Sequence, residues 1–185
     1  MEKEIIEELE KILSEKRFKH SIGVMKRAGE LAAIYGIDEK EARLAGILHD
    51  IAKEMPEEEK VQYCNENNIP IDDTEKIKNS LLHAKIGADI AKKKYHAGKS
   101  IQEAILYHTT GSPEMDMLAK IIYIADKTEE NRDYEGVEEI RKLSEENINK
   151  AMIEIINYTI LKSVKEDKVI HPAGIFTRNT LLKEE

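Results

Sequence analysis

The chain has 185 residues, which fit one domain large enough to bury a continuous core. Its 29 basic and 37 acidic residues give a net charge of −8, the wrong sign for a protein that mainly grips nucleic-acid phosphates. Cys64 is the only cysteine, which excludes an intrachain disulfide and a cysteine-based zinc site and fits a reducing cytoplasm.

The N-terminal part of the sequence predicts a succession of helices. Residues 1–16 place isoleucine and leucine at helical spacing between charged residues, which predicts a packing helix and not a secretory signal. A second helix is predicted from Arg17 to Tyr35, and Asp38 is expected to cap a third. The stretch AGILHDIAK, residues 45–53, is expected to form the C-terminal half of this third helix, and Pro56 to start a fourth.

The helical pattern continues to the C-terminal region. The segment 67–74 is the clearest predicted loop, and residues 128–136 form a second polar loop. Helices are predicted at Ser80–Tyr95, Lys99–Thr109, Met115–Lys127, Val137–Glu145 and Ile148–Lys165. No segment alternates like a strand, and no apolar run approaches the ~18 residues of a membrane span. The sequence therefore predicts an all-α, single-domain helical bundle over residues 1–185.

Two polar residues, His49 and Asp50, interrupt the apolar stretch 45–53. Neighbouring residues on a helix point about 100° apart, so these two side chains cannot usefully contact each other but can both contact a third group beside the helix. Burying an unpaired carboxylate there would cost several kcal/mol, a cost that coordination to a cation removes. Asp126 follows the apolar run 121–125 and poses the same problem. A metal ion would satisfy both carboxylates.

Other histidines occur in apolar surroundings. His20 lies in the apolar stripe of the second helix and completes a set of two imidazoles and two carboxylates. Such nitrogen and oxygen ligands suit iron, manganese or another first-row divalent ion. His83 and His108 repeat the pattern, and we expect them to hold a second metal or to contact a phosphate. His96 and His171 lie in polar segments and are expected on the surface.

The ordered series of histidines and aspartates resembles the HD superfamily of metal-dependent phosphohydrolases. Its members are His20, His49, Asp50, His83, His108 and Asp126. The flanking segments KRFKHSIGV, AGILHDIAK, LLHAKIGA, AILYHTTG and IIYIADKTEENRDYEG resemble the YqeK-type branch, bacterial hydrolases that cleave diadenosine tetraphosphate symmetrically into two ADP. The likeness runs from about residue 16 to about residue 172, the expected HD core. Glu130 stands where the branch commonly has proline.

The resemblance implies a metal centre with one or two iron ions, with manganese or another divalent first-row metal as alternatives. Its core ligands carry over as His20, His49, Asp50 and Asp126. His83 and His108 match positions that face the phosphates or complete a dinuclear site. Asp50 is the expected bridge if two ions bind. If one binds, His83 and His108 become phosphate donors or proton-transfer groups.

Four further residues are expected at the substrate phosphates. Lys53 follows the histidine–aspartate pair by one helical turn and lies over the same face. Thr109 offers a hydroxyl and a backbone N–H. Arg132 can grip phosphate bidentately, and Arg17 is a weaker choice. The expected catalytic residues are Asp50, Lys53, His83 and His108, and the expected substrate contacts also include His20.

The implied function is a cytoplasmic, metal-dependent hydrolase that acts on a small-molecule dinucleoside polyphosphate or nucleotide, without nucleic-acid or membrane partners. Two alternatives stay open. One is another HD phosphohydrolase, acting on nucleoside monophosphates, deoxynucleoside triphosphates or cyclic dinucleotides; the other is a nucleotide-sensing module without turnover. All six expected metal or phosphate positions are filled, which favours an enzyme. Base preference stays open, as does the choice between a monomer and a homodimer.

Overall fold

A computed structural model describes residues 2–184, and this part of the chain contains helices, turns and loops but no strand. The all-α prediction is confirmed. The helices are α1 (Glu2–Ile12), α2 (Glu15–Tyr35), α3 (Glu39–Leu48), α4 (Glu57–Glu66), α5 (Asp73–Ile77), α6 (His83–Tyr95), α7 (Lys99–Tyr107), α8 (Met117–Thr128), α9 (Val137–Glu146), α10 (Ile148–Lys165) and α11 (Pro172–Glu184), with a 3-10 turn at Asn79–Leu82.

Local sequence signals start and stop the helices that carry the candidate site. Gly36 ends α2 in the left-handed conformation at φ 67°, where its missing Cβ avoids a steric penalty. The Asp38 side chain accepts hydrogen bonds from the backbone N–H groups of Lys40 and Glu41 and so caps α3. Asp116 caps α8 in the same way. The chain therefore turns sharply between α2 and α3, and these two helices pack against each other.

The predicted helix across AGILHDIAK is wrong in its second half. The α3 helix ends at Leu48, and residues 49–54 form turns. The backbone N–H of Ile51 donates to the Leu48 carbonyl at 3.1 Å, a tighter i→i−3 contact than the α-helical i→i−4 bond. The histidine–aspartate pair consequently lies just beyond a helix end.

Two other predicted helices also end or start differently near the site. The α7 helix stops at Tyr107 rather than Thr109, so His108 lies just beyond its last residue. The predicted helix 80–95 instead begins with the 3-10 turn, and His83 opens α6. Both changes place a histidine at a helix terminus, as in the AGILHDIAK stretch.

Two short or terminal helices were missed. The α5 helix begins inside the predicted loop 67–74, because Asp72 and Glu75 form a capping box over only five helical residues. The α11 helix packs on α10 and buries Thr177 and Leu181, while most of its other apolar residues are exposed. Neither helix has the regular apolar stripe on which periodicity reading depends.

The site lies over a core built from α2, α3, α7 and α8. In α8, Ile121, Ile122 and Ile124 have no exposed surface, so this helix is fixed in the middle of the bundle. Glu130, the departure from the family proline, lies in the loop after α8 and pairs with Lys26 at 3.1 Å. Among residues 2–184, no helix is both long and apolar enough to cross a membrane.

Candidate metal centre

Six buried histidine and aspartate side chains converge at one end of the core. They come from five places in the fold: His20 in α2, His49 and Asp50 after α3, His83 at the start of α6, His108 after α7, and Asp126 in the last turn of α8. None of the six is more than 8% exposed. The structure thus brings together every residue of the predicted metal series.

One half of the cluster gathers around one oxygen of each aspartate. The His20 Nε2 atom lies 3.0 Å from Asp126 Oδ1 and 3.7 Å from Asp50 Oδ2. The His49 Nε2 atom lies 3.4 Å from Asp50 Oδ2 and 3.8 Å from Asp126 Oδ1. Two nitrogens and two oxygens therefore face a common point, as a divalent first-row ion requires.

The other half of the cluster uses the second oxygen of Asp50. Its Oδ1 atom lies 3.1 Å from His83 Nε2 and 3.4 Å from His108 Nε2. The two Nε2 atoms are 3.1 Å apart. Asp50 therefore presents one oxygen to each pair of histidines, which is the arrangement of a carboxylate between two cation sites.

Three of the histidines have the same tautomer because each binds the carbonyl three residues earlier. Nδ1 of His49, His83 and His108 lies 2.6–2.7 Å from the carbonyl oxygens of Gly46, Ser80 and Ile105. A carbonyl oxygen only accepts, so each Nδ1 carries the hydrogen and donates it. In the neutral rings each Nε2 is then left with a lone pair that points into the cluster.

His20 lies inside a helix and is held in a different way. Its Nδ1 atom is 3.1 Å from Glu129 Oε1, while the other Glu129 oxygen accepts hydrogen bonds from the backbone and side-chain nitrogens of Asn131. Glu129 is buried. A Cβ atom at position 23 would lie only 2.4 Å from Glu129 Oε2, and glycine has none. Gly23 thus makes room for the carboxylate that orients His20.

The donors of the cluster fit a bound cation. Within the described chain, His49 Nε2 and Asp50 Oδ1 are buried and have no hydrogen-bond partner among protein groups. Leaving such atoms unpaired is costly, and a metal ion is a partner that both can use. The Nε2 atoms of His83 and His108 lie close together with their lone pairs facing, so they also need a cation as a partner. Hence the residues present fit one or two divalent ions.

The electrostatics of the cluster favour ionised aspartates and the neutral forms of His83 and His108. Burial opposes ionisation of Asp50, yet the neighbouring imidazoles of His49, His108 and His83 hold the Asp50 pKa well below its ordinary value. Burial lowers the pKa of His108 to about 4 and also lowers that of His83. Neutral imidazole and ionised carboxylate are the forms that bind metal.

Four cationic side chains surround the two aspartates. Arg17 Nη1 donates to Asp50 Oδ2 at 2.6 Å, and Arg132 Nη2 donates to Asp126 Oδ1 at 2.7 Å. Lys127 contacts the other Asp126 oxygen. Lys53 Nζ lies 3.8 Å from Asp50 Oδ1. The positive charge needed for a polyphosphate is thus concentrated at the cluster of a protein whose net charge is −8.

The structure places the expected phosphate residues at the cluster. Lys53 Nζ is 3.2 Å from His83 Nε2, and Thr109 Oγ1 is 3.0 Å from His108 Nε2. Arg17 and Arg132 also reach the site, although both side chains bind the aspartates. His96 is exposed, as expected, whereas His171 is half-buried and lies 2.9 Å from Asp72.

Sequence reasoning missed two contributors, Glu129 and Lys127. Lys127 directly follows Asp126, and Glu129 lies three residues after it, so both were within reach of the same helix end. The available signal was the charged cluster that ends the apolar run of α8. This signal identifies Glu129 only if it is known that α2 packs beside α8, because that packing places His20 against Glu129.

Comparisons with known proteins agree with this geometry. The family model described as HD domain matches residues 17–131. The symmetrical bis(5'-nucleosyl)-tetraphosphatase of Bacillus subtilis (strain 168) is 39% identical over 173 residues, which cover 92% of this chain and 91% of that protein. The protein of the same name from Halalkalibacterium halodurans is 37% identical over 174 residues, 94% of this chain and 92% of that one.

A solved structure supports the same assignment. The crystal structure of a predicted HD superfamily hydrolase involved in NAD metabolism, from Clostridium acetobutylicum, matches with a TM-score of 0.96 and 38% sequence identity. The match covers 99% of this chain and 97% of that one. All six residues of the cluster lie within the range of the family model. The chain therefore belongs to the HD superfamily of phosphohydrolases, within the branch whose curated relatives carry the name symmetrical bis(5'-nucleosyl)-tetraphosphatase.

Proposed function

We propose that this protein is a cytoplasmic, metal-dependent hydrolase that cleaves diadenosine tetraphosphate symmetrically into two ADP, and acts on related dinucleoside polyphosphates. The observation that carries the proposal is the buried cluster in which His49 Nε2 and Asp50 Oδ1 lack hydrogen-bond partners among the described protein groups. The names of relatives that match more than nine-tenths of the chain support the substrate class.

The proposed ligands divide into two sets that share Asp50. His20, His49, Asp50 Oδ2 and Asp126 Oδ1 would hold one ion. His83, His108 and Asp50 Oδ1 would hold a second. We propose iron as the resident metal, with manganese or another first-row ion able to occupy the same nitrogen and oxygen donors. A bound ion supplies Lewis acidity toward a phosphoryl oxygen and acidifies water.

The protein's own residues bind and orient the polyphosphate. Lys53, Arg17 and Arg132 neutralise phosphate charge next to the aspartates, and the Thr109 hydroxyl adds a donor beside His83 and His108. If only one ion binds, neutral His83 and His108 are available to accept or pass a proton. Burial of the cluster excludes bulk water, which strengthens each of these interactions.

The experiment is metal analysis and product analysis on anaerobically purified protein. We expect a transition metal in the wild type and two ADP from diadenosine tetraphosphate, whereas asymmetric cleavage would give ATP and AMP. Asp50→Ala should lose both the metal and hydrolysis, because it removes an oxygen from each half of the cluster. Asp73→Ala is the matched control, since the Asp73 side chain is 96% exposed.

Two results would contradict the proposal. Full hydrolysis by metal-free Asp50→Ala protein would exclude the metal centre from catalysis. Wild-type protein that retains metal but hydrolyses only nucleoside monophosphates, deoxynucleoside triphosphates or cyclic dinucleotides would assign it to another HD activity. Binding of the same nucleotides without any turnover would indicate a sensing module.

A further inference from the structure

A cavity of about 620 Å³ opens beside the metal cluster, within the size range of small-molecule sites. Its walls come from the loop between α8 and α9 and from α10. Two of its lining residues, Lys127 and Arg132, bind the Asp126 carboxylate. A smaller cavity of about 220 Å³ adjoins it and shares Lys78 and Lys127. The larger cavity thus shares two cationic side chains with the surroundings of the candidate metal centre.

The lining of the larger cavity is basic, although the chain as a whole is acidic. It contains six lysine or arginine residues and two acidic residues, against a net charge of −8 for the protein. One of the two acidic residues, Glu166, already accepts a hydrogen bond from Lys168 at 2.5 Å. Local charge of this kind attracts an anion with several phosphate groups.

An aromatic pair lies in the same cavity. Tyr134 and Tyr158 stack with ring centroids 5.4 Å apart and an angle of 25° between the rings. The Tyr134 hydroxyl donates to the Lys127 carbonyl at 3.0 Å, which fixes that ring next to the metal cluster. Tyr158 is 43% exposed, whereas the other tyrosines among residues 2–184 are buried or half-buried. A stacked, partly exposed ring beside lysines offers a platform for a planar base.

We propose that this cavity binds one nucleoside diphosphate half of the substrate, with the base stacked on Tyr158 and the phosphates directed toward Lys127 and Arg132. Cations that follow a phosphate chain, together with an aromatic ring for the base, are the usual elements of such recognition. The inference rests on the proposed function and adds the residues that select a nucleotide over a bare polyphosphate.

The experiment compares binding of ADP and of inorganic pyrophosphate to metal-loaded protein by calorimetry. Base stacking on an aromatic ring contributes enough affinity that its loss weakens binding on the order of tenfold. We therefore expect Tyr158→Ala to raise the Kd for ADP about tenfold while the Kd for pyrophosphate changes less than twofold. The KM for diadenosine tetraphosphate should rise with the Kd for ADP.

Two variants serve as controls. Tyr158→Phe keeps the ring and should restore ADP affinity. Leu161→Ala removes a side chain that is 62% exposed on the same helix but does not line the cavity, so it should leave ADP affinity unchanged. Circular dichroism of each variant checks that α10 still folds.

The outcomes separate this inference from the proposed function. Unchanged ADP affinity in Tyr158→Ala, or an equal loss for ADP and pyrophosphate, would overturn the base platform even if the wild type hydrolyses diadenosine tetraphosphate. Conversely, a wild type that fails to hydrolyse this substrate but loses ADP selectively in Tyr158→Ala would support the platform and overturn the proposed activity.

Discussion

Glu129 shows how one buried carboxylate can determine the orientation of a proposed metal ligand. Burial opposes its ionisation, but the hydrogen bonds with His20 and Asn131 lower the Glu129 pKa. With Nδ1 of His20 directed at Glu129 Oε1, the Nε2 atom faces the two aspartates. Carboxylates behind ligating histidines commonly fix the ring and raise its basicity.

Glu129→Gln is expected to weaken metal binding while leaving the fold intact, because the amide keeps the shape but not the negative charge behind His20. Loss of such a partner typically costs 10–100-fold in metal affinity, so roughly tenfold is expected here. Competition with a chromogenic chelator measures it. Glu130→Gln is the control, since Glu130 is exposed and pairs only with Lys26 among its described contacts. Equal affinity in both variants would reduce Glu129 to a packing role.

At the scale of secondary structure, helix ends determine where the histidines point. The last carbonyls of a helix have no intrahelical partner and are free to accept from a side chain. His49 and His108 follow the ends of α3 and α7, and each donates from Nδ1 to the carbonyl three residues earlier. His83 uses the 3-10 turn in the same way. The orientations of three proposed metal ligands thus depend on where helical segments stop.

Gly46→Ala should disturb both the α2–α3 interface and the orientation of His49, a proposed metal ligand. A Cβ at position 46 would lie 2.9 Å from the Met25 Cα and 3.1 Å from the Val24 carbonyl oxygen, and backbone cannot yield as a side chain can. The Gly46 carbonyl also accepts from His49. We expect a loss of about 1–3 kcal/mol in the free energy of unfolding, measured in urea, together with weaker metal binding.

Gly29→Ala provides the contrast at the same interface. Its new Cβ would meet only the flexible Arg43 side chain, at 3.2 Å, and alanine favours helix over glycine. Stability should therefore be unchanged or slightly raised. If Gly46→Ala were as well tolerated as Gly29→Ala, the close backbone approach would not constrain the site.

Across the whole molecule, the histidine–aspartate cluster is a concentration of buried charge within an apolar core. Asp50 and Asp126 are almost fully buried, and cationic side chains partly neutralise them. An ion that binds the folded state alone adds stability by mass action, about 2.7 kcal/mol when its concentration is 100 times its Kd.

Chelation should therefore lower the melting temperature of the wild type, by roughly 5–11 °C for a domain of this size. Calorimetric scans with and without chelator measure the shift. Asp50→Ala should show no such dependence on metal, because both proposed ligand sets lose an oxygen. An equal shift in both proteins would mean that metal binds elsewhere.

Sequence patterns were enough to predict the helical class and the six residues of the histidine–aspartate cluster. Helical periodicity and capping depend on residues a few positions apart, so the bounds of α2 and α10 could be predicted closely. The breaks after Leu48 and Tyr107 could not be predicted, because apolar residues resume at Ile51 and no glycine or proline follows Tyr107 before Gly111. In both places a histidine side chain takes one of the terminal carbonyls.

Which atoms of the cluster meet depends instead on how the helices pack. His20 and Glu129 are 109 positions apart, and their contact exists because α2 packs beside α8. Helix packing also makes the two carboxylate oxygens of Asp50 face different histidines. In the same way it brings Arg17 and Arg132 into contact with the aspartates. These features depend on distances between helices, which local sequence patterns do not encode.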